Sequence, residues 1–137
     1  MRHPRGRLVV NASAIVAALG PPDPVAERVV ATMAGHRTVA TQMLPFEAAA
    51  ALRKMQLRGA IDEMSANSAH RDVQGLPIDL WPRRPLAERA WALRASGSCY
   101  DACYVALAEL TDAPLITLDR RLAQAPGPRC RFVTPEE

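Results

Sequence analysis

Short apolar runs alternate along the chain with longer stretches in which apolar residues recur at helical spacing. The short runs predict strands, while the capping residues, prolines and glycines between them predict where helices begin and end. The predicted strands are residues 8–10, 38–41, 76–81, 115–118 and 130–133. The predicted helices are residues 14–19, 25–34, 46–58, 61–73, 85–94, 102–110 and 121–125. In the helix over residues 85–94, Trp91 and Leu93 are the expected packing residues. Residues 61–73 form either a separate, solvent-facing helix or an exposed extension of the helix before them.

This alternation of strands and helices predicts an α/β fold, in which a parallel sheet is covered by helices on both faces. The 137 residues contain no internal repeat and no linker long enough to divide them. We therefore predict a single domain over residues 1–137, with residues 1–6 as a flexible basic arm.

Composition and charge say little about the partners of this domain or its location in the cell. The net charge of +3 at pH 7 favours an anionic partner, but the excess is modest. No apolar run approaches the ~20 residues that span a bilayer. The three cysteines form no CxxC pair, so we expect reduced thiols and a cytoplasmic protein.

The most informative stretch covers residues 98–121, which have the pattern of a capped helix, a turn and a short strand ending in aspartate. Ser98 and Asp101 have the spacing of a capping box at the head of the helix. Asp119 follows the strand at its carboxyl end, where ligands bind in open parallel sheets. Asp101 and Asp119 can therefore reach one shared site.

Two further polar residues have similar positions. Asn11 follows the first predicted strand, and Glu47 lies in the first turn of the helix after the second. Taken singly, each is explained more simply as a helix cap or as a charge that complements the helix dipole. Taken together with Asp101 and Asp119, they predict a crevice whose repelling carboxylates need a counter-charge.

Hard oxygen ligands of this kind suit Mg²⁺ or Mn²⁺, which can activate water for attack on a phosphodiester. The sequence contains no GxGxxG, GxxxxGK, HExxH or GxSxG motif that would favour another chemistry.

Three segments of the chain resemble a known family: LVVNASAIVAAL, LPFEAAAALRK and YDACYVALAELTDAPLITLDRRL. In order and spacing they resemble the PIN-domain ribonucleases, and among these the VapC toxins of bacterial VapBC toxin–antitoxin pairs. The third segment is the most specific, because an Asp-headed, alanine-rich helix followed by a strand ending in Thr-Leu-Asp rarely arises by chance.

The resemblance implies a three-layer α/β/α sandwich on a mostly parallel sheet of about five strands. It also implies an acidic site that binds Mg²⁺ or Mn²⁺ and cleaves structured RNA, such as tRNA or rRNA, endonucleolytically. The expected partners are the RNA substrate, a second copy of the chain in a homodimer, and a cognate VapB-type antitoxin that blocks the site.

The resemblance also assigns the site residues. Glu47, Asp101 and Asp119 match three acidic positions of the family, which are catalytic and bind the metal. Ser13 and Thr117 match the hydroxyl residues beside them.

Two positions depart from the family pattern. Asn11 stands where the family has aspartate, at a position that is both catalytic and metal-binding, and Ala50 stands where many relatives have asparagine. Asparagine keeps an oxygen but brings no negative charge, so we expect weakened metal binding and weakened or abolished activity. Natural divergence and a deliberate replacement of aspartate by asparagine both explain Asn11.

Three hypotheses remain open from the sequence. The first is a metal-dependent endoribonuclease toxin, the second a catalytically inactive PIN-like module that binds antitoxin or RNA, and the third an ordinary α/β domain whose acidic residues are helix caps. In the first two, RNA would be bound by basic residues around the acidic centre. The candidates are Arg120, Arg121, Arg53 and Lys54.

Overall fold

Strands and helices alternate throughout residues 6–135, the part of the chain that the computed structural model describes. The strands are β1 (Arg7–Val10), β2 (Arg37–Thr41), β3 (Asp79–Trp81), β4 (Leu115–Ile116) and β5 (Phe132–Val133). The helices are α1 (Ala12–Leu19), α2 (Pro24–Ala34), α3 (Leu44–Leu57), α4 (Glu63–Gly75), α5 (Ala87–Ala92), α6 (Cys99–Thr111) and α7 (Arg120–Gln124). The predicted basic arm covers residues 1–6, of which 1–5 lie outside the described residues.

The five strands form one sheet in the order β3-β2-β1-β4-β5, and every neighbouring pair is parallel. Helices α1 to α4 contact one another on one side, whereas α5 and α6 contact each other and α6 packs on β1 and β2. This arrangement confirms the predicted three-layer α/β/α fold with a parallel sheet of five strands.

The core follows from the apolar strands. Leu8, Val9 and Val10 of β1 are fully buried, as are Leu115 and Ile116 of β4. Continuous apolar runs of this kind are typical of parallel strands with helices on both faces. Within residues 6–135, no helix is both long and apolar enough to cross a membrane.

Of the two interpretations of residues 61–73, the structure favours the separate helix. Helix α4 is a separate helix that begins at its own cap, where Asp62 accepts a hydrogen bond from the backbone of Ser65. It buries Ala66, Ala69 and Val73, so its inner face is built from small side chains.

The predicted helix over residues 85–94 differs more from the structure. It begins as a 3₁₀ turn, Arg84–Leu86, and its α-helical part ends at Ala92. Leu93 is buried as expected, but Trp91 is 62% exposed, and the Arg94 guanidinium lies 4.5 Å from its ring centre. The prediction that Trp91 packs in the core was therefore wrong, because it lies on the solvent side of the helix.

The connections decide where a site can form. The helices that follow β1 lie on one face of the sheet, whereas β4 is reached from the other face. The order in which strands are added to the sheet therefore reverses between β1 and β4, although all strands remain parallel. In open α/β sheets, the crevice at such a reversal, outside the carboxyl ends of the strands, is where ligands bind. Asn11 follows β1 and Thr117 follows β4, so these two residues lie on either side of the reversal.

Candidate active site at the carboxyl edge of the sheet

Asn11 is buried at the end of β1, where it is the N-cap of α1. Its side-chain oxygen Oδ1 accepts hydrogen bonds from the Ser13 hydroxyl at 2.7 Å and from the Ala14 amide at 3.1 Å. Its amide nitrogen donates to Thr117 Oγ1 at 2.9 Å. An amide oxygen has two lone pairs, and both are engaged here. The cap role that the sequence offered as the simpler explanation of Asn11 is therefore present.

Thr117 links this residue to Asp119. Thr117 is fully buried, and its Oγ1 also accepts a hydrogen bond from the Asp119 amide at 3.0 Å. Asp119 itself is exposed and is the N-cap of α7, where its Oδ1 accepts from the Arg121 amide at 2.9 Å and the Leu122 amide at 3.3 Å. One carboxylate oxygen of Asp119 is thus engaged by its own helix.

Glu47 and Asp101 form the second part of the candidate site. Glu47 is half-buried in the first turn of α3, and burial raises the pKa of its carboxyl above the ordinary value. The Tyr104 hydroxyl, which donates to Glu47 Oε1 at 3.0 Å, opposes this increase, whereas the charge of Asp101 adds to it. The two carboxylates therefore lie close enough to interact.

Asp101 is oriented by the predicted capping box, which the structure confirms. The Asp101 amide donates to Ser98 Oγ at 3.0 Å, and the Ser98 amide donates back to Asp101 Oδ2 at 3.4 Å. Gly97 lies directly beside this turn, since a Cβ there would be 3.3 Å from Asp101 Oδ2 and 3.5 Å from Leu122 Cδ1. Asp101 thus lies next to the helix that Asp119 caps.

Within residues 6–135, no three histidine, cysteine, aspartate or glutamate side chains form a group that could hold a metal ion. Position 11 carries an amide instead of a carboxylate, and one carboxylate oxygen of Asp119 is engaged at its helix cap. Magnesium, however, is commonly bound by one or two carboxylates with water completing its coordination. The donor chemistry of Glu47 and Asp101 fits a cation of this kind.

The predicted RNA-binding residues lie in two places. Arg120 and Arg121 are exposed in the first turn of α7, directly after Asp119. Arg53 and Lys54 are exposed in the second half of α3, and Lys54 lines a surface groove of about 430 Å³. Ser13 also lines this groove, which therefore extends to the Asn11 end of the site. Ala50, the second departure from the family pattern, is exposed one turn after Glu47.

Sequence reasoning missed Tyr104, Thr41 and Arg83, which lie in this part of the molecule. The Tyr104 hydroxyl donates to Glu47 Oε1 and lies beside Thr41 at the end of β2. Burial raises the pKa of the Cys103 thiol, and the opposing charge of Arg83 places this arginine nearby. The available signal was position, because Thr41 ends a strand and Arg83 follows one by two residues.

The parallel sheet and the acidic side chains at its carboxyl edge define an α/β protein with an acidic site. Comparison with known proteins identifies its family. The PIN domain pattern matches residues 8–128. Ribonuclease VapC1 of Mycobacterium tuberculosis is 38% identical over 125 residues, covering 90% of this chain and 94% of that protein. Ribonuclease VapC12 of the same species is 34% identical over 120 residues, covering 88% and 92%.

A solved toxin–antitoxin complex from Klebsiella pneumoniae shares the fold, with a TM-score of 0.67 at 18% identity, covering 95% of this chain and 98% of that one. The chain therefore belongs to the PIN domain family and, within it, to the VapC group.

Proposed function

We propose that this protein is a Mg²⁺- or Mn²⁺-dependent endoribonuclease of a toxin–antitoxin pair, and that Asn11 weakens or abolishes its activity. The observation that carries the proposal is the pair of carboxylates, Glu47 and Asp101, at the carboxyl edge of the sheet. The relatives VapC1 and VapC12 are named ribonucleases, which supports RNA as the substrate. Structured RNA such as tRNA or rRNA is the proposed class.

Some residues of the site would bind the metal ion, and others orient the residues around it. Glu47 and Asp101 would hold the ion, and Asp101 is fixed for this by its capping box with Ser98. A bound Mg²⁺ or Mn²⁺ supplies an activated water and neutralises charge that develops on the phosphodiester. Thr117 orients the carboxyl end of β4, because its hydroxyl holds both Asn11 and the Asp119 backbone.

Asp119 is proposed to assist from the rim of the site. Its Oδ1 accepts the α7 cap bonds, and its second carboxylate oxygen, Oδ2, would contact water bound to the ion. Arg120 and Arg121 follow it directly in sequence and would contact phosphates of a bound RNA.

A second candidate, an inactive PIN-like module that binds antitoxin or RNA, is favoured by one observation. Both lone pairs of Asn11 Oδ1 are engaged by Ser13 and Ala14. The amide cannot ligate a metal ion without breaking one of these bonds, and it adds no negative charge. The site would then keep its shape and lose much of its affinity for a cation.

The proposed protein partner is a VapB-type antitoxin, and the proposed assembly is a homodimer in the cytoplasm. The antitoxin is supported by the structural neighbours, which include a toxin–antitoxin complex from Klebsiella pneumoniae and VapBC2 from Rickettsia felis. Co-expression with the antitoxin, followed by chromatography and mass determination, tests both the antitoxin complex and the homodimer.

The deciding experiment is RNA cleavage with Mg²⁺ or Mn²⁺, using total tRNA and ribosomal RNA, with EDTA as control. The native chain is compared with Asn11→Asp, and Asn11→Asp is compared with the double variants that add Asp101→Ala or Glu47→Ala. We expect cleavage by Asn11→Asp, little or none by the native chain, and none by the double variants while they remain folded. Cleavage that survives both alanine substitutions would refute the assigned site.

If neither the native chain nor Asn11→Asp cleaves any of these RNAs, but either binds antitoxin or RNA, the inactive module is the better description. Equal cleavage by both chains would instead show that a carboxylate at position 11 is dispensable.

A further inference from the structure

The buried Tyr104 hydroxyl is the contact through which the core of the protein reaches Glu47. Tyr104 is 1% exposed and is the largest of the fully buried side chains. Its hydroxyl donates to Glu47 Oε1 at 3.0 Å across 57 positions of sequence. The bond thus joins α6, which carries Asp101, to α3, which carries Glu47.

The same hydroxyl has a second buried neighbour. Thr41, which is 4% exposed at the end of β2, lies beside the Tyr104 hydroxyl. Thr41 Oγ1 in turn accepts a hydrogen bond from the Met43 amide at 3.3 Å. A chain of contacts therefore runs from the backbone after β2 through Thr41 and Tyr104 to the carboxylate of Glu47.

A glutamate side chain has several rotatable bonds, and an unrestrained one loses rotamer freedom when it binds an ion. The Tyr104 ring is enclosed by the core, so its hydroxyl restrains Glu47 Oε1. The other carboxylate oxygen, Oε2, takes no part in this bond. Preorganisation of this kind increases affinity because less freedom remains to be lost on binding.

We propose that Tyr104 is a positioning residue, which holds Glu47 Oε1 so that Glu47 Oε2 and Asp101 face the same cation. This inference rests on the metal site of the proposed function and adds to it a residue that never touches the ion. A buried tyrosine also needs a partner for its hydroxyl, and a carboxylate can serve that purpose alone. The experiment must therefore separate positioning from simple satisfaction of the hydroxyl.

The test is the affinity for Mn²⁺, measured by titration calorimetry and by electron paramagnetic resonance of free Mn²⁺, without RNA. Tyr104→Phe removes the hydroxyl and keeps the ring. The chain offers a matched control in Tyr100→Phe, since Tyr100 is its only other tyrosine, lies on the same helix and is 51% exposed. Loss of a residue that orients a metal ligand typically weakens metal binding about 10–100-fold.

We expect Tyr104→Phe to weaken Mn²⁺ binding about tenfold or more, and Tyr100→Phe to leave it unchanged. In a Glu47→Ala background, Tyr104→Phe should have no further effect, since there is no carboxylate left to position. Should Tyr104→Phe fold poorly, Thr41→Val tests the same chain of contacts from its other end and should weaken binding by a smaller factor.

A lower melting temperature of Tyr104→Phe with unchanged Mn²⁺ affinity would overturn the proposal and leave the metal site intact. An equal loss of affinity with and without Glu47 would overturn it as well. If neither the native chain nor Asn11→Asp binds Mn²⁺, the metal site of the proposed function is absent and the positioning role falls with it.

Discussion

The side-chain nitrogen of Asn11 donates a hydrogen bond to the buried Thr117 hydroxyl oxygen at 2.9 Å, across 106 positions of sequence. This bond joins the ends of β1 and β4 on either side of the reversal in the sheet. Its direction is a consequence of the amide, because a carboxylate in the same place could only accept. The side chain at position 11 is therefore an uncharged hydrogen-bond donor that connects the ends of these two strands.

Asn11→Asp should replace this uncharged hydrogen-bond donor with a negatively charged metal ligand. We expect Mn²⁺ affinity to increase about tenfold or more, since affinity for hard cations grows with the number of charged ligands. Without metal, the variant should be less stable by about 1–3 kcal/mol, because Thr117 loses its donor and a buried charge is added. Calorimetric titration and thermal melting with and without Mn²⁺ measure both effects.

Ser13→Ala is the control for this change, because it removes a hydrogen bond to Asn11 without altering charge. It should not strengthen Mn²⁺ binding. Unchanged affinity in Asn11→Asp would show that position 11 lies out of reach of the ion.

Thr117→Val should destabilise the fold. The valine has nearly the same shape but no acceptor, so the Asn11 amide nitrogen and the Asp119 backbone N–H both lose their partner. We expect a loss of about 1–3 kcal/mol in the free energy of unfolding, measured by urea denaturation.

Thr117→Ser keeps the hydroxyl and loses one methyl group, which should cost about 1 kcal/mol. If the serine variant were as unstable as the valine variant, the methyl group and not the hydrogen bonds would account for the loss.

Glu47→Gln should make the protein more heat-stable at neutral pH. The folded state holds the pKa of Glu47 above its ordinary value of 4.5, so the unfolded chain ionises more readily. Stability therefore falls as the pH rises from about 4.5 through the folded pKa. The gain from glutamine should be absent below about pH 4 and lie within roughly 0.5–2 kcal/mol at pH 7.

Glu63→Gln is the matched control, since Glu63 is also a first-turn glutamate but is exposed. It should not raise the melting temperature at pH 7. Melting curves of the metal-free proteins between pH 4 and 8 measure the gain in stability from Glu47→Gln at each pH. An equal gain at all pH values would contradict the explanation.

Arg89→Met should lower the melting temperature by several degrees at pH 7. Arg89 makes a paired contact with Glu109, with Nε 2.7 Å from Oε1 and Nη2 3.2 Å from Oε2, and also donates to the Gly127 carbonyl. Burial alone would raise the pKa of Glu109, but Arg89 and the Arg129 amide lower it on balance.

A lowered folded pKa means that this stabilisation is present above about pH 4.5 and is lost on acidification. The difference between Arg89→Met and the native chain should therefore shrink below about pH 4. Arg94→Met, which removes an exposed cation stacked on Trp91, is the control and should have little effect. A difference that persists unchanged at low pH would assign the loss to packing.

Much of the fold was predictable because each element carries its own local signals. The fully buried strand β1 shows as a continuous apolar run, and the capping box of Ser98 and Asp101 shows in the spacing of two residues. The predicted strands were too long at residues 76–81, 115–118 and 130–133. Pro77 has no N–H to donate to a neighbouring strand, and β3 begins only after it.

The remaining errors concern which way a side chain faces. Trp91 was expected in the core and lies in solvent, whereas Tyr104 was not singled out and proves to be the largest fully buried side chain. Periodicity identifies a helix more readily than it decides which of two apolar side chains faces the sheet, because that depends on the neighbouring elements.

The sequence by itself determined the order of strands and helices, the caps, and the residue types at the strand ends, because these depend on neighbours a few positions apart. Only the tertiary structure decided that Asn11 would bond Thr117 and that Tyr104 would join Glu47 to the core. Those contacts link residues 106 and 57 positions apart. They exist because parallel pairing places the carboxyl ends of distant strands at one edge of the sheet.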